Sequence, residues 1–261
     1  APAGVLAVTF TNKAAREMLT RVAAMLPINP RGMWIGTFHG LCNRMLRAHS
    51  REVGLPQAFQ ILDSQDQLAA LKRLLKAMNV DEERFPAREV QYFINDQKEE
   101  GVRARDVPAG DENSRRFTEL FAAYDEQCQR EGVVDFPELL LRTFELLKRN
   151  EILREHYAQR FRHILVDEFQ DTNRLQYRWL KLLASKEAKL FCVGDDDQSI
   201  YTFRGAHVGN MADFEREFRV AHVVRLEQNY RSHGNILDAA NALIANNRNR
   251  LGKNLWTAAG K

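Results

Sequence analysis

Apolar and polar positions along the chain fall into two regimes. In the first part, short apolar runs alternate with amphipathic stretches: Val5 to Phe10 reads as a strand, Asn12 to Leu26 as a helix, Met33 to Phe38 as a strand and about Gly40 to Arg51 as a helix. Continuous apolar runs of this kind suit strands buried on both faces of a parallel sheet. From about Asp63 to Arg160 the period is helical. Leu68, Leu71, Leu74, Leu75 and Met78 form a stripe at spacings of three and four behind a Ser64 and Gln67 capping-box pattern. Phe117, Leu120, Phe121, Tyr124 and Cys128 form a second stripe that ends near Gly132, and Asp135, with Pro137 in the next turn, opens a third helix. Strand-like runs resume at His163 to Val166, Lys189 to Val193 and His222 to Leu226, with helices near Arg174 to Ala184 and Gly209 to Phe218 between them. Asn235 to Ile244 reads as a helix and Asn246 to Lys253 as a polar loop. The pattern predicts an α/β fold, a parallel sheet interrupted by an all-helical insertion.

Composition narrows the class. With 261 residues, 44% hydrophobic and 28% charged, there is ample material for one large domain or two smaller ones, and disordered or collagen-like chains are excluded. A net charge of +3 is too nearly balanced to imply a polyanionic partner by bulk charge, so any nucleic-acid footprint must be local. Cys42, Cys128 and Cys192 are far apart and outside any CxxC pattern, which argues for neither a disulfide framework nor a zinc module. The longest apolar runs, such as Ile164 to Val166, fall far short of the roughly 20 residues that span a bilayer, so no membrane span is expected. The first residues carry neither an initiator Met nor the basic and apolar regions of a secretory signal, and read as part of a longer chain.

Three strand ends carry candidate chemistry. Ile164-Leu165-Val166 delivers Asp167 and Glu168, and ligands in open α/β sheets gather at such carboxyl ends. An Asp there can hold Mg²⁺ through water, and the next carboxylate can orient or deprotonate an attacking water. A strand followed by an acidic turn is the plainer alternative. Leu190 to Val193 ends in Gly194-Asp195-Asp196-Asp197-Gln198, where the amide of Gln198 can touch a phosphate or its attacking water. In Gln228-Asn229-Tyr230-Arg231 an aromatic face that can stack on a base adjoins a guanidinium that can neutralise a transferring phosphate. Near the start, Thr9-Phe10-Thr11-Asn12 and Thr37-Phe38-His39 place hydroxyls, an amide and rings at strand-to-helix junctions, suited to phosphate contacts and base stacking or, more plainly, to helix caps and buried rings.

In order along the chain, TFTNKAA, GTFHG, VDEFQDT, GDDDQSIYTFRGA and LEQNYRS resemble motifs Ia, Ib, II, III and IV of the UvrD/Rep/PcrA group of superfamily 1 DNA helicases, nearest its UvrD-type members. The resemblance implies a RecA-like P-loop NTPase sheet, subdomain 1A, in residues 1–62 and 161–227, a helical 1B insertion in 63–160, and the opening of subdomain 2A in 228–261. It implies ATP and Mg²⁺ as cofactors, with Asp167 on the metal, Glu168 activating water, Gln198 coupling the γ-phosphate to DNA, Tyr230 stacking on adenine and Arg231 at the γ-phosphate. Phe10, Thr11, Asn12, Thr37, Phe38, His39, Tyr201, Phe203 and Arg204 would face single-stranded DNA. It further implies duplex junctions as substrates, repair or replication proteins as partners, 3′ to 5′ movement and a cytoplasmic location.

Two departures qualify the match. Where the family has Gly-Trp after the Tyr of its third motif, this chain has Thr202-Phe203, a smaller ring. No G-x-x-x-x-G-K-[ST] pattern occurs, so the family's phosphate-binding loop is expected upstream of Ala1 and its last two motifs beyond Lys261. Two readings of other classes are a two-metal nuclease built on Asp167, Glu168, Asp195, Asp196 and Asp197, and a non-catalytic module that binds DNA or protein.

Overall fold

The computed structural model describes residues 2–27, 29–108, 110–201, 205–207, 209–247 and 250–260. In chain order the elements are β1 (Val5–Thr9), α1 (Asn12–Met25), β2 (Trp34–Thr37), α2 (Phe38–Ala48), β3 (Gln60–Leu62), α3 (Ser64–Ala77), α4 (Ala87–Glu99) and α5 (Glu112–Glu131). There follow β4 (Val133–Asp135), α6 (Phe136–Arg149), α7 (Glu151–Arg160), β5 (His163–Val166), α8 (Arg174–Leu183), β6 (Lys189–Cys192), α9 (Gly209–Glu217) and α10 (Gly234–Ile244).

The main sheet is parallel, in the order β2-β1-β5-β6. Its register sets Val8 beside Val166 and Val166 beside Cys192, so the residues that follow each strand emerge along one edge. β1 is buried from Leu6 onward, as a strand covered on both faces should be. β5 and β6 depart from that expectation: Ile164 and Val166 are buried, whereas Leu165 and Phe191 stand exposed on the other face, Phe191 by 64%. The predicted strand at His222 to Leu226 does not form. That stretch is irregular and exposed, and an apolar run becomes a strand only when a neighbouring ladder pairs with its backbone.

Two hydrophobic cores divide the helices. α3, α4 and α5 close a core of their own around Leu71, Leu75, Val90, Ile94, Phe121 and Tyr124. α6 and α7 instead pack with the sheet, α2 and α8, through Leu140, Leu141, Phe144, Leu147 and Tyr157. The region from 63 to 160 is also not all helical: β4 pairs in parallel with β3, Ile61 beside Val134. Gly132 makes this possible by ending α5 at φ 68°, where a side chain is disfavoured and where a Cβ would lie 2.8 Å from Pro56. Three residues are too few to show a period, so the strand is invisible in the pattern. The cap of α3 is Asp63, whose carboxylate accepts from the N–H groups of Gln65 and Asp66, one position before the expected Ser64.

A buried ionic cluster joins the two cores. Lys98, on α4 and 1% exposed, lies 2.9 Å from Asp125 and Asp135 and 3.0 Å from Glu138. Arg103 forks onto Glu138 and onto Glu145, and Arg142 adds a third cation beside Glu138. Asp135 also accepts from the Tyr124 hydroxyl and caps α6. Burial alone would lower the Lys98 pKa, but Asp135, Glu138 and Asp125 outweigh it and hold the ammonium charged.

Removing one member of such a cluster strands the others without counter-charge. Lys98→Met is expected to cost about 3–5 kcal/mol in denaturant unfolding. Nearby, burial, then the charges of Asp96 and Glu100, push the Glu99 carboxyl up to about 7. A folded pKa above the unfolded one contributes stability that is complete at low pH and lost as pH rises through about 7. Glu99→Gln should therefore raise the melting temperature relative to the parent at pH 8 and change it little at about pH 4.

Candidate functional site

The ladder continues past the strand ends. Asp167 N–H donates to the Val8 carbonyl at 2.9 Å, Val193 N–H to that of Val166 at 2.8 Å, and Phe169 N–H to that of Val193 at 2.9 Å. These bonds bring Thr9, Asp167, Glu168 and the Gly194 turn to one edge. The Thr9 hydroxyl, buried, donates to an Asp167 carboxylate oxygen at 3.3 Å. Glu168 takes the left-handed conformation, φ 51° and ψ 45°, uncommon for a side-chain-bearing residue and frequent at functional sites. Its carboxylate accepts from the amide of Gln170 at 2.8 Å. Asp171 adds a carboxylate oxygen that is buried and unpartnered, and burial followed by the Glu168 charge raises its pKa. Hard oxygen donors with excess negative charge fit a cation such as Mg²⁺. Burial pushes the nearby Cys192 thiol up to about 12, so it stays protonated and is a poor ligand.

At the end of β6 the three carboxylates Asp195, Asp196 and Asp197 lie together. They are already matched with cations of the chain. Arg250 forks onto Asp197, Lys253 pairs with Asp195, and the Leu251 N–H donates to Asp196 at 2.6 Å. Burial acts to raise the Asp195 pKa, but hydrogen bonds from Lys253 and Gln198 hold it below the usual carboxylate range. This arrangement weighs against the nuclease reading, since the charges of Lys253 and Arg250 offset those of Asp195 and Asp197. Gln198 is exposed and donates to Asp195 at 2.5 Å.

Tyr230 and Arg231 stand on a separate turn. The Asn229 side chain accepts from the N–H groups of Arg231 and Ser232 at 2.9 and 2.8 Å, and the Asn229 N–H donates to the Trp256 carbonyl. Tyr230 is 86% exposed, its ring free to stack. Residues 250–256 thus touch both the Asp-rich turn and the Tyr230 turn, and they link the two.

The expected DNA-facing residues separate. Asn12 and Thr11 are exposed at the start of α1, where Thr11 caps the helix through the Ala14 N–H, and Thr37 caps α2 through Gly40. Phe10 is half-buried, edge-on to Phe38, and Tyr201 is 38% exposed. His39 packs its ring against Phe136, and burial lowers its pKa. Phe38, by contrast, is 2% exposed and packs in the core edge-on to Trp179. Phe203 and Arg204 lie outside the described residues. Sequence reasoning missed Gln170, Arg250 and Lys253, and it did not link the Thr9 hydroxyl to Asp167. Gln170 sits inside the VDEFQDT run, while the two cations lie in a polar stretch that resembles any solvated loop.

The fold is a parallel α/β sheet with acidic residues gathered at the carboxyl ends of adjacent strands, the place where ligands of open α/β sheets bind. The chain belongs to the UvrD/REP helicase N-terminal domain family, which matches residues 1–219. It is 54% identical to DNA helicase II of Escherichia coli (strain K12) over 98% of this chain, and 52% identical to DNA helicase II of Haemophilus influenzae over the same share. To the ATP-dependent DNA helicase PcrA of Bacillus subtilis (strain 168) it is 42% identical over 98% of this chain. The chain spans only about a third of these relatives, 36%, 36% and 35% of their lengths in that order.

Phe38→Ala is expected to lower stability by about 3–5 kcal/mol, as large-to-small changes in a packed core do. Its single-strand DNA affinity per folded molecule should be unchanged. Lost affinity with stability intact would return Phe38 to the DNA path.

Proposed function

We propose that this chain is part of an ATP-dependent DNA helicase that hydrolyses ATP to move 3′ to 5′ along single-stranded DNA and unwind duplex junctions in the cytoplasm, in repair or replication. The observation that carries this reading is the convergence of Asp167 and Glu168 with the Gln198 turn at one sheet edge, joined by Gln170. Within it, residues 1–62 and 161–227 form the nucleotide-facing lobe, 63–160 the insertion and 228–261 the opening of a second lobe.

Asp167, steadied by Thr9, is the residue to hold Mg²⁺, largely through water as that ion prefers. The metal, when bound, supplies charge neutralisation to the phosphates. Glu168 accepts the proton of the attacking water, and its exposure leaves room for that water. Gln198 reads the terminal phosphate through an amide that can donate and accept. Tyr230 offers the adenine a free ring face, and Arg231 draws off charge that develops on the transferred group. Phe10, Thr11, Asn12, Thr37, His39 and Tyr201, with Phe203 and Arg204, supply the strand-facing contacts, in which rings stack without reading sequence. No described helix is long and apolar enough to cross a membrane.

In the full-length protein, Glu168→Gln should retain ATP and DNA binding while DNA-stimulated turnover falls by more than about 100-fold, because the amide keeps the shape and loses the base. Turnover within about threefold of the parent would remove Glu168 from the reaction. Arg231→Ala should lower kcat by on the order of 10³-fold, and a change confined to KM would make it a ground-state contact.

A further inference from the structure

Gln170 lies between the two acidic strand ends and uses both ends of its amide. It is 1% exposed. Its Nε2 donates to Glu168 Oε2 at 2.8 Å, and its Oε1 accepts from the Asp195 backbone N–H at 2.9 Å. The flip state is therefore dictated, since reversing the amide would set oxygen against carboxylate and NH₂ against N–H. The approach is close: a Cβ on Gly194 would lie 2.9 Å from Gln170 Oε1 and 3.3 Å from the Gln170 backbone nitrogen. A side chain at 194 would displace the Gln170 amide from this position.

Glu168 needs such a support. In a left-handed conformation that surrounding structure must enforce, its carboxylate has no other hydrogen-bond donor among the described residues. On the far side, Asp195 accepts from Gln198 and pairs with Lys253. A hydrogen-bonded run thus joins Glu168, Gln170, Asp195 and Gln198 across the β5 and β6 ends.

We propose that Gln170 is a positioning residue for hydrolysis: it fixes the carboxylate of Glu168 and ties it to the turn that carries Gln198, so that base and phosphate sensor hold one relative geometry. This rests on the reading of Glu168 as the base. Gln170 occupies one carboxylate oxygen and leaves the other for water. A neutral amide suits the task, because a cation at 170 would pair with the base and depress its basicity, whereas an acid would compete for the proton. The charged groups around this point are Asp167 and Asp171 beside Glu168, and Asp195 with Lys253 from the β6 side; Thr9 from β1 is uncharged.

The test uses the full-length protein with Gln170→Met, Gln170→Glu and, as reference, Glu168→Gln. Gln170→Met removes both hydrogen bonds at similar volume and should lower DNA-stimulated kcat about 10- to 100-fold, with KM for ATP within about twofold of the parent. Gln170→Glu keeps the shape and the acceptor for the Asp195 N–H but loses the donor to Glu168, so its kcat should fall about as far, again with KM for ATP within about twofold of the parent. A purely structural role would move melting temperature and leave kcat per folded molecule in place. A Gln170→Met kcat within about threefold of the parent, beside an inactive Glu168→Gln, overturns the proposal while keeping the base. A parent-like kcat in Gln170→Glu overturns it even if Gln170→Met folds poorly. An active Glu168→Gln overturns the base and the proposal together.

Discussion

The site depends on a backbone constraint more than on any side chain. β1, β5 and β6 run parallel in fixed register, and the hydrogen bonds that extend their ladder beyond the last strand residue hold Asp167, Phe169 and Val193 as firmly as the sheet itself. Those three N–H groups are paired, so the carboxylates of Asp167 and Glu168 emerge from a held edge. The left-handed Glu168, the buried Gln170 and the close pass of Gly194 all follow from two strand ends meeting at this spacing. A register slip of one residue would send Asp167 to the opposite face and dissolve the arrangement.

α4 and α5 meet α6 at a cluster of charges. Lys98, Arg103 and Asp125 from the side of α4 and α5 meet Asp135, Glu138, Arg142 and Glu145 from the side of α6. An apolar seam would bury as well but would tolerate sliding, whereas forked Arg–carboxylate pairs accept one geometry. Here the cluster fixes how α3, α4 and α5 stand on α6, which itself packs on α2 and α8.

Legibility in the sequence follows the range of the physics. Long apolar stripes, such as that from Leu68 to Met78, and strand runs that end in acid announce themselves, because burial and periodicity are local properties. The caps at Asp135 and Thr11 are also local and could be anticipated. What was hidden depends on partners distant in the chain. The run from His222 to Leu226 has strand composition without a ladder, and Val133 to Asp135 has a ladder without a readable period. Phe38 carries a motif's aromatic ring yet serves the core. Arg250 and Lys253 acquire meaning only where they meet Asp197 and Asp195, more than fifty positions earlier. Gln170 stood in plain view, but an amide shows its use only when both its partners are placed.

The central claim is that the end of β5, not the richer acidic turn after β6, is the metal and nucleotide centre. Fe²⁺ can replace Mg²⁺ in the full-length protein with a non-hydrolysable ATP analogue, and ascorbate with peroxide then cleaves the backbone beside the bound ion. Cuts mapped by mass spectrometry should appear only with nucleotide and should cluster at residues 166–169. Nucleotide-dependent cleavage confined to residues 195–197 would contradict the account and return the acidic turn to the role of metal site.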